Sequence, residues 1–333
     1  MVKKIIAGIL VLAIIVLAGF KIFYKGDDVS KKLESLGENL TMYHTEATMD
    51  IETKDEVRSF YVTVDYKLDN DNDYFRISLL DKNINQEQIM LRNEEGVYVL
   101  TPKLNQVYQF KGDYPLNSPK PYLYHSLISS FKEKDTNVEK LNDGYLISYD
   151  CEYENSPSWK KQDVKLSQDL KPVWVNIYDE SNNVVVEINF AKVDFSPTYS
   201  EDHFSVNKNM ETSRKEVISS SGEVELPYLP EVSVSSTLKE QTEATVNGET
   251  VYILTYEGSK EFTITQRLLE DSEEILFAQV SGSIVELPLG IGYYNQQNLL
   301  FIHNGVEYRI YSDSLSVNEM IEVLDSMDVV IEK

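Results

Sequence analysis

Over residues 60–67 the chain reads Phe-Tyr-Val-Thr-Val-Asp-Tyr-Lys, which puts Phe60, Val62, Val64 and Tyr66 on one side of an extended strand and Thr63, Asp65 and Lys67 on the other. The same period of two recurs over residues 47–51, 75–79 and 173–178. Between these segments lie turn-forming runs rich in Asn, Asp and Gly at 68–73, 93–96 and 179–183. A chain that alternates this way many times must bury one face of a sheet, and strands at this spacing predict an antiparallel meander. Only two stretches of the first half have helical spacing: residues 30–40, with Leu33, Leu36 and Leu40, and residues 122–134, which follow Pro119 and Pro121. The predicted fold class is α+β and mostly β, a curved antiparallel sheet wrapped over helices.

The alternation fails near Asn207. Residues 207–222 are polar and end in Ser219-Ser220-Ser221-Gly222, the composition of a linker. A second unit opens at Leu226-Pro227-Tyr228-Leu229-Pro230, with strands expected around 244–246, 251–256, 262–266, 275–280 and 299–303. Its closing helix is announced by a capping box, Ser316 with Glu319. At the other end, residues 5–20 are sixteen consecutive apolar residues, preceded by Lys3 and Lys4 and followed by Asp27 and Asp28. Such a run rises about 24 Å as a helix, and Lys21 can snorkel to extend it toward the roughly 30 Å bilayer core. Phe20 stands where a lipoprotein signal would carry its cysteine. The expected organisation is a signal anchor over 1–26, a first domain over 27–208, a linker over 209–222 and a small C-terminal α+β domain over 223–333. The positive-inside bias puts the protein in the cell membrane as a single pass, with its N-terminus cytoplasmic and its body extracytoplasmic. A cleaved signal peptide would leave the body on the same side.

The net charge of −24 repels a phosphate backbone, so nucleic acid is excluded as a partner class. One cysteine, Cys151, permits no intramolecular disulfide and reads as a structural thiol among acidic neighbours. The four histidines, at 44, 125, 203 and 303, have no metal-binding spacing. No Gly-x-Ser-x-Gly elbow is present, and Gly290-Ile291-Gly292 reads as a flexible turn. Residues 69–73 begin like a calcium loop, but Tyr74 takes the place of its glycine and Leu80 that of its glutamate. The 22 tyrosines suit half-buried strands better than a stacking surface. The residues therefore predict no catalytic group, no metal and no cofactor, and point to a binding protein. The candidate binding residues are those of the inward face, Phe60, Val62, Val64, Phe75, Ile77 and Leu79, which either fill a core or line an apolar groove.

The stretch Gln88-Ile89-Met90-Leu91-Arg92-Asn93-Glu94-Glu95-Gly96-Val97-Tyr98-Val99-Leu100-Thr101-Pro102, with Tyr114-Pro115 and Tyr122-Leu123-Tyr124, resembles the LolA-like sporulation and germination proteins of spore-forming bacteria. Val184-Val185-Val186-Glu187-Ile188, Phe195, Phe204 and Asn209-Met210 resemble the end of the same domain. Residues 304–310 and the closing helix are similar to a small domain often joined to it. The resemblance implies a half-barrel fold and a role in sporulation or germination, by binding an acyl chain or a protein partner such as a cell-wall amidase. Other proteins of this fold imply two alternatives, a lipoprotein or lipid carrier and a sensor that regulates a sigma factor. An extracytoplasmic hydrolase with a dispersed site is the alternative of another class.

Overall fold

The computed structural model describes residues 29, 31–53, 57–110, 120–133, 136–153, 156–216, 226–269, 274–280, 282–287, 290–295 and 297–327. The anchor expected over 1–26 lies outside them, and among the described residues no helix is long and apolar enough to cross a membrane.

The alternating segment at 60–67 lies in β2 (Val57–Asp69), paired on one side with β1 (Met42–Glu52) and on the other with β3 (Asn72–Asp81). The β2–β3 turn uses Asn70 and Asp71 at φ of 49° and 63°, a left-handed conformation that Asn and Asp tolerate. The meander continues through β4 (Gln86–Asn93), β5 (Gly96–Thr101) and β6 (Gln106–Phe110). The chain then returns to the far side of β1 through β7 (Asn137–Leu141), β8 (Gly144–Asp150), β9 (Lys161–Ser167), β10 (Pro172–Tyr178) and β11 (Val184–Asp194). One further strand, β15 (Leu276–Val280), is contributed by the C-terminal half and pairs parallel with β6. The result is a 12-stranded sheet in the order β15-β6-β5-β4-β3-β2-β1-β11-β10-β9-β8-β7, open because its two ends do not pair.

Register carries one row of side chains across this sheet: Val64 opposes Ile77, Ile77 opposes Met90, Met90 opposes Val99 and Val99 opposes Tyr108. That inner face is covered by α1 (residues 31–39) and α2 (Tyr124–Glu133), which bury Leu33, Leu127, Ile128 and Phe131 in the same core. Both helices lie where the apolar spacing predicts them. Cys151 is buried in this core just after β8.

The second sheet has seven strands in the order β12-β13-β14-β19-β18-β17-β16. They are β12 (Ser236–Val246), β13 (Glu249–Gly258), β14 (Phe262–Leu268), β16 (Ser283–Leu287), β17 (Gly290–Asn295), β18 (Asn298–His303) and β19 (Val306–Tyr311). On one face lies α4 (Val317–Asp325), opened by the expected reciprocal capping box of Ser316 and Glu319. The other face turns toward the first sheet. Leu299 and Phe301 pack with α4, whereas their neighbours Leu300 and Ile302, with Ile291 and Tyr293, pack into the first sheet's core.

Two local expectations are corrected. Gly290-Ile291-Gly292 is not a turn but the start of β17, with Ile291 fully buried. Gly290 sits at φ +145°, and a Cβ there would come within 2.4 Å of the Gln88 side-chain oxygen; one at Gly292 would stand 2.9 Å from the Leu300 carbonyl. Glycine serves close approach here, not flexibility. The polar run expected as linker from 209 begins inside α3 (Val206–Glu216), because Asn209 and Met210 are buried against the outer face of the first sheet.

Candidate functional site

The six predicted binding residues do converge on one face, and that face is closed. Phe60, Val62, Val64, Phe75, Ile77 and Leu79 are each at most 6% exposed and belong to one core. Beside Phe60 and Leu79 there remains a gap of about 10 Å³, bordered by Gln86, Gln88, Ile302 and His303. That is room for no more than a single water. The C-terminal sheet completes the closure through a seam with specific polar bonds. The Ile291 N–H donates to Gln88 Oε1 at 2.9 Å, Lys120 Nζ lies 2.5 Å from Glu286 Oε1, and the Tyr122 hydroxyl donates to Glu286 Oε2 at 3.1 Å. The Tyr293 ring packs 4.9 Å from Tyr108 and 5.0 Å from Phe110. Burial, with the Arg58 charge nearby, pushes His303 at this seam down to about 3.

The opening lies on the opposite, outer face. Strands β4 to β6 are apolar on both sides, and outward-facing Ile89, Leu91, Tyr98, Leu100 and Val107 form a second core with Phe204 and Met210. The segment from Tyr199 through α3 is strapped over them. Tyr199 donates to the Tyr43 carbonyl at 2.6 Å, Asn93 Nδ2 to the Phe204 carbonyl at 3.1 Å, and Arg76 Nε to Asn209 Oδ1 at 2.5 Å. Between this strap and β15 the described residues leave an open groove of about 1200 Å³ on the outer face. Its apolar lining comes from Tyr74, Tyr98, Tyr199, Phe204 and Phe277, with Tyr74 and Phe204 ring centroids 5.8 Å apart and Tyr98 and Phe277 6.5 Å apart. Asp69, Glu94, Glu95 and Glu201 also line it; among the described residues Lys67 is the one cation in the lining, and its Nζ sits 2.6 Å from Asp69 Oδ2. The Tyr74 hydroxyl donates to Glu94 at 2.7 Å, and that bond holds its pKa up at about 12.

Beside the strap, two histidines distant in sequence meet one carboxylate. Asp65 accepts from His44 Nδ1 at 2.7 Å and stands 3.1 Å from His203 Nε2. Burial works to raise the Asp65 pKa, but the hydrogen bonds from His203 and His44 outweigh it and hold the carboxyl far below the usual range. The bond to Asp65 raises His44 against the opposing effect of burial. His44 Nε2 also meets Glu46 at 2.9 Å, and Glu46 is held at about 2 by hydrogen bonds from Tyr61 and His44. Both His44 ring nitrogens meet a carboxylate, and Asp65 faces His44 from β1 and His203 from the strap, an arrangement that clamps the strap to β1 and β2. Among the described residues no group of His, Cys, Asp and Glu is placed to hold a metal.

The outer groove was missed by sequence reasoning that tracked alternation alone. Its signal was present in Ile89-Met90-Leu91 and Tyr98-Val99-Leu100, apolar without alternation, the pattern of strands buried on both faces.

Among the described residues the protein is mostly β, two open sheets with few helices. No family model matches the chain. It is similar to the sporulation protein YdcC of Bacillus subtilis (strain 168), 29% identical over 307 residues, which is 90% of this chain and 89% of the relative. The resemblance to sporulation proteins read from the sequence is thereby borne out. Among solved structures, the chain is similar to the Pseudomonas aeruginosa MucA/MucB complex at 12% identity and a TM-score of 0.35, covering 90% of this chain and 97% of that one. It is also similar to a putative outer membrane lipoprotein-sorting protein domain from Vibrio parahaemolyticus at 14% identity and a TM-score of 0.32, covering 56% and 99%.

Proposed function

We propose that this chain is a non-catalytic binding protein of the sporulation or germination programme, which holds a segment of a protein partner in the outer groove between Tyr74, Tyr98, Phe204 and Phe277. One observation carries the choice of surface. The inner face, where an acyl chain would lie in a half-barrel, is filled by α1, α2 and the C-terminal sheet, whereas about 1200 Å³ is open on the outer face. Similarity to a sporulation protein across nearly the whole chain supports the developmental setting. A cell-wall amidase is one partner consistent with that setting. The body is held at the outer side of the cell membrane by the uncleaved helix of residues 1–26; the unit over 27–208 carries most of the groove, and the unit over 223–333 closes the inner face and adds Phe277 to the groove.

The experiment is capture of the full chain from membranes of a sporulating host, followed by native and intact-mass measurement. The expected result is a protein partner in fixed ratio, lost from the Tyr74→Ala variant, on a chain that retains its N-terminal residues. Recovery of a bound lipid with no protein partner would refute the groove reading; a chain beginning near Phe20, or carrying a diacyl modification, would refute the anchor.

A further inference from the structure

At the end of the 12-stranded sheet, β15 pairs with β6 from Leu276 opposite Gln106 to Val280 opposite Phe110, and among the described residues no strand pairs with its other edge. Natural sheets protect such an edge with lysine, proline, a bulge or an inward charge, because unpaired N–H and C=O groups invite another strand. Residues 275–280, Ile-Leu-Phe-Ala-Gln-Val, contain neither charge nor proline. Ile275, Leu276 and Phe277 are 40%, 53% and 55% exposed. A short, uncharged segment of high β propensity left bare in this way promotes aggregation unless something covers it.

The surroundings specify the chemistry of the cover. Phe277 lines the outer groove, so a strand added to the free edge of β15 borders that groove at its rim, with every second side chain on the groove's face. Glu94, Glu95 and Glu201, all exposed, and Asp69 make the lining of that groove acidic, while Lys67 is already matched by Asp69. A second copy of this chain would bring the same acidic rim and another net charge of −24, so self-association through this edge is opposed electrostatically. A segment bearing lysine or arginine at alternate positions pairs with the main-chain edge and is attracted by that acidic lining.

We propose that β15 is an acceptor edge to which an extended, basic and apolar segment of a protein partner adds as a further strand, its alternate side chains lying along the rim of the outer groove. The proposal rests on the outer groove being the partner site and specifies how that site is read.

The test uses the full chain and labelled strand-length peptides, one alternating Val and Lys, one alternating Val and Glu, and one Val/Lys peptide interrupted by a central proline. Binding is followed by fluorescence anisotropy. The Val/Lys peptide should bind, more weakly as salt rises, and at least about tenfold more tightly than either of the others. The Phe277→Ser variant should lose at least about tenfold in affinity with an unchanged melting temperature, since that side chain is mostly exposed. Equal binding of the proline-interrupted peptide, loss of which on Tyr74→Ala localised it to the groove, would overturn strand addition while leaving groove binding intact. Equal binding of the Val/Glu peptide would overturn the charge assignment. No binding of Val/Lys at about 1 mM, or a dimer in light scattering that Phe277→Ser abolishes, would overturn the proposal outright.

Discussion

Replacing Tyr293 with alanine removes the aromatic wedge that joins the two sheets. The side chain is 3% exposed and sits between Tyr108 and Phe110 at ring distances of 4.9 Å and 5.0 Å. Truncating a buried aromatic side chain costs about 3–5 kcal/mol, and the two ring pairs account for about 1–3 kcal/mol of that at roughly 0.5–1.5 kcal/mol each. Unfolding entropy of about 2.1 cal/mol/K per residue over 333 residues converts the loss to a fall of about 4–7 °C in Tm. Because the ring belongs to the first sheet's core while its strand belongs to the second, both sheets should lose stability together. Guanidinium unfolding followed separately by near-UV and far-UV signals is the assay. Coincident transitions shifted to lower denaturant are expected. A loss below about 1 kcal/mol, or a shift confined to one of two resolved transitions, would refute the view that the C-terminal sheet is structural packing for the first.

Val62→Trp should cost about 1–3 kcal/mol by overpacking, with partner binding per folded molecule unchanged, as measured by melting together with capture of the partner. Gly290→Ala forces a Cβ to within 2.4 Å of the Gln88 side chain at φ +145°; a loss of about 1–3 kcal/mol is expected in denaturant titration. The Asp65 clamp has a definite pH window. His44 has a raised folded pKa, so its contribution is complete below its unfolded value of about 6.5 and is lost as pH rises through the folded value. Asp65 has a depressed one, so its contribution is present above its ordinary value of about 3.8 and is lost as pH falls through the folded value. Asp65→Asn should therefore cost about 1.5–3 kcal/mol at mildly acidic pH and lessen the loss of stability as pH rises above about 6.5, read from melting curves across that range.

Period-two alternation made the first sheet legible from residues alone, since Phe60, Val62, Val64, Phe75, Ile77 and Leu79 share a face whatever covers them. The two helices of its cover were legible from their apolar spacing, but the part supplied by the C-terminal sheet was not. A side chain that lines a groove and one that fills a core follow the same alternation, and only the docking of Ile291, Tyr293, Leu300 and Ile302 decides between them. Those residues come from a part of the chain about 200 positions away, as does β15, and no local pattern encodes a strand leaving one sheet to join another. The meeting of His44 and His203 at Asp65 was hidden for the same reason. The Ser316 capping box and the Asn70-Asp71 turn, whose causes lie within a few residues, were readable directly.

Hydrogen exchange on the full chain, free and with the partner recovered from sporulating membranes, tests the binding surface most directly. Slowed exchange is predicted in β15, around Glu94 to Tyr98 and around Tyr199 to Val206, with β2 and the middle of β3 unchanged. Slowing confined to β2, β3 and α2, with the outer groove unaffected, would contradict it and return the ligand to the inner face.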